Sequence, residues 1–276
     1  MALKIAVASQ KGGPGKTTTT VNLGGAFALN GLRVLVVDLD PQAQAGVSYG
    51  IVPQPNRSVG FALYARLNSM ELPLGPMIYN RDELLLGFDG TGRLDLLGGV
   101  QNTTVDAERK IAGGDFETTL VLRQVLNEIE DKYDIILLDT PPSVSALAAA
   151  ALSAADFVIA VSEPLYATVP GVAVVKGLTE ATSQRTDLMA NPRFLGTVIN
   201  KANPPSKRTS EDDRVDSRLE ELGLMAFQAE IRRNGLISSA FDEGRPAVIL
   251  HPNQAPSKQY LELATEMFDR IKQAAI

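Results

Sequence analysis

The chain of 276 residues contains no cysteine and only one histidine, His251. Without thiols it can form no disulfides, no thiolate metal sites and no cysteine-based active site. We expect a cytoplasmic protein, because such a composition fits a reducing compartment. His251 has no second metal-ligating residue close to it in the sequence, so we interpret it as a surface-loop residue.

Long apolar runs are missing as well. The most apolar stretch, residues 144–161, is interrupted by Ser153 and Asp156, and its pattern indicates a helix, a turn and a strand. The apolar residues before Lys11 are too few for the core of a signal peptide. We therefore expect no transmembrane span.

The net charge of −6 argues at first against a nucleic-acid partner. The charge is uneven, however, because residues 185–258 hold eleven Lys and Arg against ten Asp and Glu. That region is +1 and the remainder is −7. A basic face within an acidic protein is therefore compatible with the sequence.

Short apolar segments alternate with helical patterns along most of the chain. The apolar segments are nearly continuous rather than alternating, which is typical of parallel strands covered on both faces. The predicted strands are Leu3–Ala8, Val34–Asp38, Ile135–Asp139, Phe157–Val161 and Phe194–Ile199, and the predicted helices between them are Lys16–Asn30, Glu117–Asp131, Val144–Ala154 and Val172–Gln184. The pattern predicts an α/β fold: one domain over residues 1–276, with a twisted, mainly parallel sheet flanked by helices.

Two regions are less regular. Residues 50–115 are rich in Gly, Pro and Asn, and we interpret them as an insertion with short helices and one strand at Leu94–Leu97. Residues 201–216 are polar and predict a loop that leads into a helix at Val215–Leu222. A final helix is predicted over Lys258–Ala274.

The segment QKGGPGKT, residues 10–17, follows a strand and opens a helix, which is the context of a phosphate-binding P-loop. Backbone N–H groups of such a glycine-rich turn point at the phosphates. We expect Lys16 to reach the β- and γ-phosphates and the Thr17 hydroxyl to ligate Mg²⁺. Thr18, in the same helical turn, is expected to donate to the α-phosphate.

The segment departs from the standard motif, whose first glycine would fall on Gln10. In its place the chain has Lys11, Gly12 and Gly13 before Gly15, and this arrangement resembles the deviant Walker A ATPases typified by ParA partition proteins and MinD division-site proteins. The resemblance implies that Lys11 crosses a homodimer interface to the partner's nucleotide, working like an arginine finger in trans. It also implies that Gly12 must stay small for two subunits to close over two ATP molecules, and that Gly13 and Gly15 help to bind the nucleotide.

Three carboxylates end predicted strands. Asp38 and Asp40 follow the second strand, two residues apart and at the edge where open α/β sheets bind ligands. The stretch VDLDPQ is similar to a second signature of the family, which implies that Asp40 orients the attacking water and leaves Asp38 as a candidate partner for Lys11 or Mg²⁺. Asp139 ends an apolar strand in the Walker B arrangement and is expected to hold Mg²⁺-bound water or the Thr17 hydroxyl.

The segment Asn200-Lys201-Ala202-Asn203 bears on whether the bound nucleotide carries adenine or guanine. It resembles the N-K-x-D guanine motif, but Asn203 stands where that motif has a charged Asp. Asn200 is similar to the adenine-contacting asparagine of the ParA and MinD family. The resemblance therefore favours ATP over GTP.

Within the family, the iron–sulfur branch is excluded because its cluster needs cysteines. The final helix carries Glu and Asp beside its cations, whereas an interfacial helix needs Lys and Arg on its polar face, so we expect no stable membrane association. The segment from Glu230 resembles a ParA region in which basic residues bind DNA without sequence preference. Arg232, Arg233 and Arg245 are the first candidates, followed by Lys201, Lys207 and Arg208, and a merely solvated surface is the alternative.

The resemblance implies an ATPase that is slow alone, dimerises on ATP, binds DNA non-specifically and acts with a ParB-like centromere-binding partner in plasmid or chromosome partition, associated with the nucleoid. No helix-turn-helix domain is expected before the P-loop. Two alternatives remain open: a MinD-like ATPase that positions membrane-bound or protein cargo, and a P-loop kinase or ligase for a small molecule. The last would leave Lys11 unexplained.

Overall fold

A computed structural model describes residues 1–142, 144–185, 187 and 190–274. Its centre is an eight-stranded sheet in the order β3-β4-β2-β5-β1-β6-β7-β8. Neighbouring strands run parallel, except for the antiparallel pair β3–β4. The strands are β1 Leu3–Ala8, β2 Arg33–Asp38, β3 Tyr79–Asn80, β4 Arg93–Leu97, β5 Ile135–Asp139, β6 Phe157–Ser162, β7 Arg193–Ala202 and β8 Ile231–Arg232.

Helices cover both faces of this sheet. They are α1 Lys16–Leu29, α2 Gln44–Ser48, α3 Val59–Leu67, α4 Gln101–Ala112, α5 Val121–Asn127, α6 Ala146–Ala154, α7 Val169–Ser183, α8 Ser210–Glu221, α9 Gly235–Asp242, α10 Ala247–Leu250 and α11 Ala255–Ala274. The predicted α/β class with a mainly parallel sheet is therefore confirmed. Gly31 follows α1 with φ of 85°, the left-handed conformation that commonly ends a helix.

The core consists of two apolar layers, one on each side of the sheet. Alternate residues of a strand enter opposite layers, as Val36 and Val37 of β2 illustrate. One layer joins the sheet to α1, α10 and α11, where Phe27 stacks edge-on against Phe268 with ring centroids 5.2 Å apart. The other joins it to α3, α5, α6 and α7. This burial on both faces explains the unbroken apolar character of the strands.

The structure differs from the predicted elements at several places. The strand predicted at Leu94–Leu97 is present as β4, but it pairs with β2 inside the sheet, so residues 50–115 are not merely an insertion. The helix predicted over Glu117–Asp131 is reduced to α5, with 3₁₀ turns at Phe116–Leu120 and Glu130–Lys132. The strands β3 and β8 were not predicted, because two residues carry no periodic signal.

The segment 201–216 was wrongly interpreted as a loop over its whole length, since α8 begins at Ser210. The Thr209 side chain accepts a hydrogen bond from the Asp212 N–H, and the Asp212 side chain accepts one from the Thr209 N–H. This reciprocal capping box satisfies two N–H groups that a helix start leaves unpaired. The helix can therefore start five residues before the apolar pattern that predicted it.

Candidate nucleotide site

The phosphate loop leaves the carboxyl end of β1 and enters α1, whose first residue is Lys16. Gly13 and Gly15 have φ values of 91° and 96°, which favour glycine because L side chains rarely adopt them. At Gly15 space is also limiting, since an added Cβ atom would lie 2.1 Å from Asn200 Nδ2. This geometry presents the start of α1 to an anion, as a P-loop requires.

Two predicted carboxylates flank this loop because β1 and β2 both pair with β5. In register, Val7 of β1 and Asp38 of β2 each stand beside Asp139 of β5. The carboxyl ends of the three strands therefore bring Asp38 and Asp139 to the start of α1, the edge at which open α/β sheets bind ligands.

Lys16 is buried among these acids, with 5 % of its surface exposed. Burial lowers the pKa of the Lys16 ammonium, while the charges of Asp139 and Asp40 act in the opposite direction. The ammonium is thus enclosed at the foot of the loop, where Lys16 was expected. A polyphosphate bound there would add the negative charge that favours its protonated form.

Asp139 is fully buried, and burial raises its pKa to about 7 against the opposing effects of the Thr17 hydroxyl and the Lys16 ammonium. The Thr20 hydroxyl lies 3.4 Å from Asp139 Oδ1. Asp139 Oδ2 is buried and, within the described part of the chain, has no hydrogen-bond partner. An orphaned carboxylate oxygen beside a threonine hydroxyl fits a hydrated Mg²⁺, which is usually bound through one or two carboxylates, waters and substrate phosphates.

Asp38 and Asp40 have different environments. Asp38 is fully buried, and its carboxylate accepts hydrogen bonds from the N–H groups of Asp40, at 3.2 Å, and Ala45, at 3.0 Å. Burial, and to a lesser extent the charge of the nearby Asp139, raises the pKa of Asp38 well above its usual range. Asp40 Oδ1 accepts the Gln42 N–H at 2.9 Å. Asp38 therefore organises the turn after β2, and it makes no hydrogen bond to Lys11 among the described residues.

Asn200 and Lys201 lie near the carboxyl end of β7 and contact the loop. Asn200 Nδ2 donates to the Pro14 carbonyl at 2.6 Å, and Lys201 Nζ donates to the Gly13 carbonyl at 2.7 Å. The structure thus places Asn200 against the phosphate loop, and its contact with a nucleotide stays a prediction. Sequence reasoning placed Lys201 among the candidate DNA contacts instead, although its place directly after Asn200 was an available signal.

Lys11 makes no ion pair with a carboxylate in the part of the chain that the structure describes. Its side chain is exposed, and its ammonium donates to the Ala167 carbonyl, just before α7, at 3.3 Å. Lys11 borders a cavity of about 370 Å³ between the first half of the loop and α7. Gly12 is open, because an added Cβ atom would meet nothing within 4 Å.

The candidate DNA-binding residues do not form a uniform group. Arg233, Arg245 and Lys207 are exposed, Arg232 is half-buried, and none of the four makes an ion pair among the described residues. Arg208 is different, because Asp213, Asp216 and Glu230 surround its guanidinium. Its charge is therefore already neutralised, which argues against the earlier interpretation of Arg208 as a phosphate contact.

The final helix packs as part of the body. Tyr260, Leu263 and Met267 of α11 are buried in the layer that also contains α1. Within residues 1–142, 144–185, 187 and 190–274, no helix combines the length and apolar character needed to cross a bilayer. The apolar face of α11 is thus covered by the protein itself.

Comparison with known proteins agrees with this geometry. A family profile described as an AAA domain matches residues 2–189. The chromosome partitioning protein ParA of Caulobacter vibrioides is 32% identical, over 96% of this chain and 94% of its own length. The chromosome-partitioning ATPase Soj of Thermus thermophilus is 31% identical, over 98% of this chain and 97% of its own.

Solved structures share the fold at lower identity. The apo structure of McdA from Cyanothece superposes with a TM-score of 0.80 at 17% identity, over 97% of this chain and all of the other. The cobyrinic acid a,c-diamide synthase of Mycobacterium smegmatis, with a bound ATP analogue and magnesium, gives 0.77 at 23% identity, over 99% of this chain and 97% of the other. These structures show the same fold. The family profile and the two partition proteins establish that the chain belongs to the ParA-type family of P-loop ATPases.

Proposed function

We propose that the protein is an ATP-hydrolysing switch that forms an ATP-sandwich dimer, binds DNA non-specifically and drives plasmid or chromosome partition with a ParB-like centromere-binding partner. The observation that carries the proposal is the contrast between the two lysines of the phosphate loop. Lys16 is buried beside Asp40 and Asp139, whereas Lys11 is exposed and turned towards Ala167. One lysine belongs to the site of its own subunit, and the other is available to a second subunit.

Gly12 supports the dimer. Its φ is not in the left-handed region, and an added Cβ atom would meet nothing within 4 Å, so nothing within a single chain requires glycine there. A second subunit that closes over Lys11 and Gly12 would supply the missing reason. We therefore expect a Gly12→Val protein to fold and bind nucleotide normally but to fail to dimerise with ATP.

Catalysis in this proposal is positioning and charge stabilisation. Thr17 and, through bound waters, Asp139 would hold Mg²⁺, which would supply positive charge to stabilise the phosphoryl transfer. Lys16 holds the phosphates from within the subunit, Lys11 reaches them from the partner, and Asp40 orients the attacking water. Hydrolysis by the isolated subunit is expected to be slow, because one cation of the set comes from another chain.

The choice of ATP over GTP is supported by the orientation of Asn200. The Pro14 carbonyl can only accept a hydrogen bond, so the NH₂ group of the Asn200 amide must face it. The Asn200 side-chain oxygen then remains as the acceptor. An acceptor suits the exocyclic amine of adenine and disfavours the corresponding carbonyl oxygen of guanine.

DNA binding is assigned to Arg232, Arg233 and Arg245. Arg232 stands beside Ala202 in the pairing of β8 with β7, two residues beyond Asn200, so this arginine lies at the edge of the sheet that holds the phosphate loop. A dimer doubles the number of contacts, which makes weak contacts on each subunit sufficient. If three arginines of each subunit contact phosphates, affinity should fall roughly 10³-fold between 50 and 200 mM salt.

The second candidate function is an ATPase that positions a protein cargo through the same dimer switch. The overall charge of −6 favours it, because an acidic protein gains nothing from general electrostatic attraction to DNA. The two candidate functions share the nucleotide site and differ in what the dimer binds, which is DNA in the first and a protein cargo in the second.

The deciding experiment uses an Asp40→Ala protein, which is expected to bind ATP without hydrolysing it. Random-sequence duplex DNA is titrated in the presence of ATP or ADP, at 50 and 200 mM salt. The matched variants are Lys11→Ala for the dimer, Arg233→Ala for the DNA face, and Arg208→Ala as an arginine whose charge is already paired.

The partition proposal requires tight, salt-sensitive binding with ATP only, which is lost with Lys11→Ala, weakened with Arg233→Ala and retained with Arg208→Ala. If ATP produces a dimer that does not bind DNA, cargo positioning replaces partition. If ATP produces no dimer, the proposed role of Lys11 is wrong. Sedimentation of the same samples measures the dimer independently of DNA.

A further inference from the structure

Two consecutive residues of β7 hold two consecutive carbonyl groups of the phosphate loop. Asn200 Nδ2 donates to the Pro14 carbonyl at 2.6 Å, and Lys201 Nζ donates to the Gly13 carbonyl at 2.7 Å. These residues are more than 180 positions from the loop in sequence. The contacts tie the loop to β7, which is separated from β1 in the sheet by β6.

Consecutive residues of a regular strand point to opposite faces, so both would not normally reach the same loop. The backbone of β7 resolves this conflict at Lys201, which has φ of 58° although it is not glycine. The pairing of β7 with β8 shifts register between Asn200 and Ala202, at the same place. Such an irregularity re-aims a side chain, and here it turns the lysine onto the loop.

The bond to the Pro14 carbonyl also orients a donor. In a trans peptide the C=O and N–H groups point in opposite directions. When the Pro14 carbonyl is turned towards Asn200, the N–H of Gly15 is turned away from β7, at the start of α1 where an anion binds. The Gly13 carbonyl, held by Lys201, is likewise kept from facing that anion, which it would repel.

The two glycines before Pro14 have open space beside their Cα atoms. Cβ atoms added to Gly12 or Gly13 would meet nothing within 4 Å. The cavity of about 370 Å³ lies alongside, and Lys201 and Glu163 contribute to its wall. With this open space at Gly13, we assign the positioning of its carbonyl to the hydrogen bond from Lys201.

Glu163, directly after β6, completes the arrangement. Its carboxylate forms an ion pair with Lys201, so the ammonium lies between Glu163 and the Gly13 carbonyl. The ion pair restricts a long, flexible side chain to one position. The same contacts engage the ammonium of Lys201, which makes it a poor candidate for DNA.

We propose that Lys201, oriented by Glu163, is a positioning residue that preorganises the phosphate loop for a nucleoside di- or triphosphate. The proposal rests on the proposed nucleotide-binding function, and it assigns Lys201 to that site rather than to DNA. Lys201 acts through the loop and is not expected to touch the nucleotide. Its contribution is therefore to affinity for the phosphates, before any dimer forms.

The test is a calorimetric titration of the full-length protein with Mg²⁺–ADP and, separately, with pyrophosphate, which has no base. Lys201→Met retains the length and backbone strain but removes the charge. We expect the Kd for both ligands to rise about tenfold. This rise corresponds to the lower end of the free energy lost with a hydrogen bond to a charged group, because Lys201 is partly exposed. The melting temperature without ligand should stay within about 2 °C of the parent value, since a surface link contributes little to global stability.

Lys258→Met is the matched control, since Lys258 is an exposed lysine on α11. Glu163→Gln should raise the Kd less than Lys201→Met, and combined with it should add nothing further. An unchanged Kd in Lys201→Met, or a loss of pyrophosphate affinity equal to that in Lys258→Met, would overturn the proposal. If Lys201→Met does not fold, Glu163→Gln alone decides, and an unchanged Kd in it overturns the proposal. If the parent protein binds neither ligand, the nucleotide-binding function itself fails.

Discussion

The contact between Gly15 and Asn200 offers a quantitative test of how the phosphate loop is built. Gly15 has φ of 96°, and an added Cβ atom would lie 2.1 Å from Asn200 Nδ2. Gly15→Ala therefore adds a left-handed backbone cost of about 1–2 kcal/mol and a steric cost of about 1–3 kcal/mol. Displacing Asn200 from the Pro14 carbonyl adds about 1 kcal/mol. We expect a total loss of roughly 3–6 kcal/mol in the free energy of unfolding.

Asn200→Ala removes the atom with which the new methyl group would collide. On its own it leaves the buried side of the Pro14 carbonyl without its donor, at a cost of about 1–3 kcal/mol. In the double variant the steric cost disappears, while the backbone cost and the missing hydrogen bond remain. The sum of the single losses counts the steric cost and the displaced hydrogen bond of Gly15→Ala, both of which are absent from the double variant, so the double variant should be about 3 kcal/mol more stable than that sum predicts.

Gly13→Ala provides the control within the same loop. Gly13 has a similar φ of 91°, but no atom lies within 4 Å of its added Cβ. It should lose only the backbone cost of about 1–2 kcal/mol, and Asn200→Ala should not relieve it. Urea unfolding measures the free energy of unfolding of the parent and of each variant. The variants are Gly15→Ala, Gly13→Ala, Asn200→Ala and the two double variants that combine a glycine change with Asn200→Ala. Additivity of Gly15→Ala and Asn200→Ala within about 0.5 kcal/mol would refute the proposed collision.

Three further predictions concern stability away from the loop. Thr209→Ala removes the side-chain acceptor of the capping box with Asp212 and should cost about 1 kcal/mol in urea unfolding, whereas Thr209→Ser should cost little. Phe27→Ala leaves a cavity in the layer under α11 and should cost about 3–5 kcal/mol, and a loss below about 1 kcal/mol would show that the layer is not well packed. The hydrogen bonds from Arg33 lower the pKa of Asp134, so this carboxylate stabilises the fold above its unfolded pKa of about 4, and that contribution is lost as pH falls through the lower folded pKa. Between about pH 5 and about pH 2, the free energy of unfolding of an Asp134→Asn protein should consequently fall less than that of the parent. Unfolding followed by circular dichroism measures this difference.

The geometry of the candidate nucleotide site was largely predictable where it depends on local sequence. A strand, a glycine-rich turn and Lys16-Thr17 at a helix start occur within a few residues, so their geometry follows from local backbone preferences. Asp38 and Asp139 end apolar strands, and parallel strands place their carboxyl ends at one edge. Their proximity therefore required only the prediction that both strands belong to one sheet.

Other parts depended on contacts between distant segments. β4 could not be assigned to the sheet beside β2 from its own residues, because strand order depends on which edges meet in the folded chain. Arg208 has the positive charge expected of a DNA contact, but only the fold brings Glu230 beside it together with the carboxylates of α8. The sequence shows which side chains carry charge, while packing determines which charges remain unpaired.

The amino-acid sequence by itself determined the family, the parallel sheet and which residues are candidates for phosphate binding, because each is encoded by short-range pattern and residue type. The tertiary structure alone decided how that loop is held. Asn200 and Lys201 reach it from β7 only because the backbone turns left-handed at Lys201 and the register shifts. Lys11 meets Ala167 only because α7 begins beside the loop. Such contacts join segments more than 150 residues apart, over which no sequence periodicity extends.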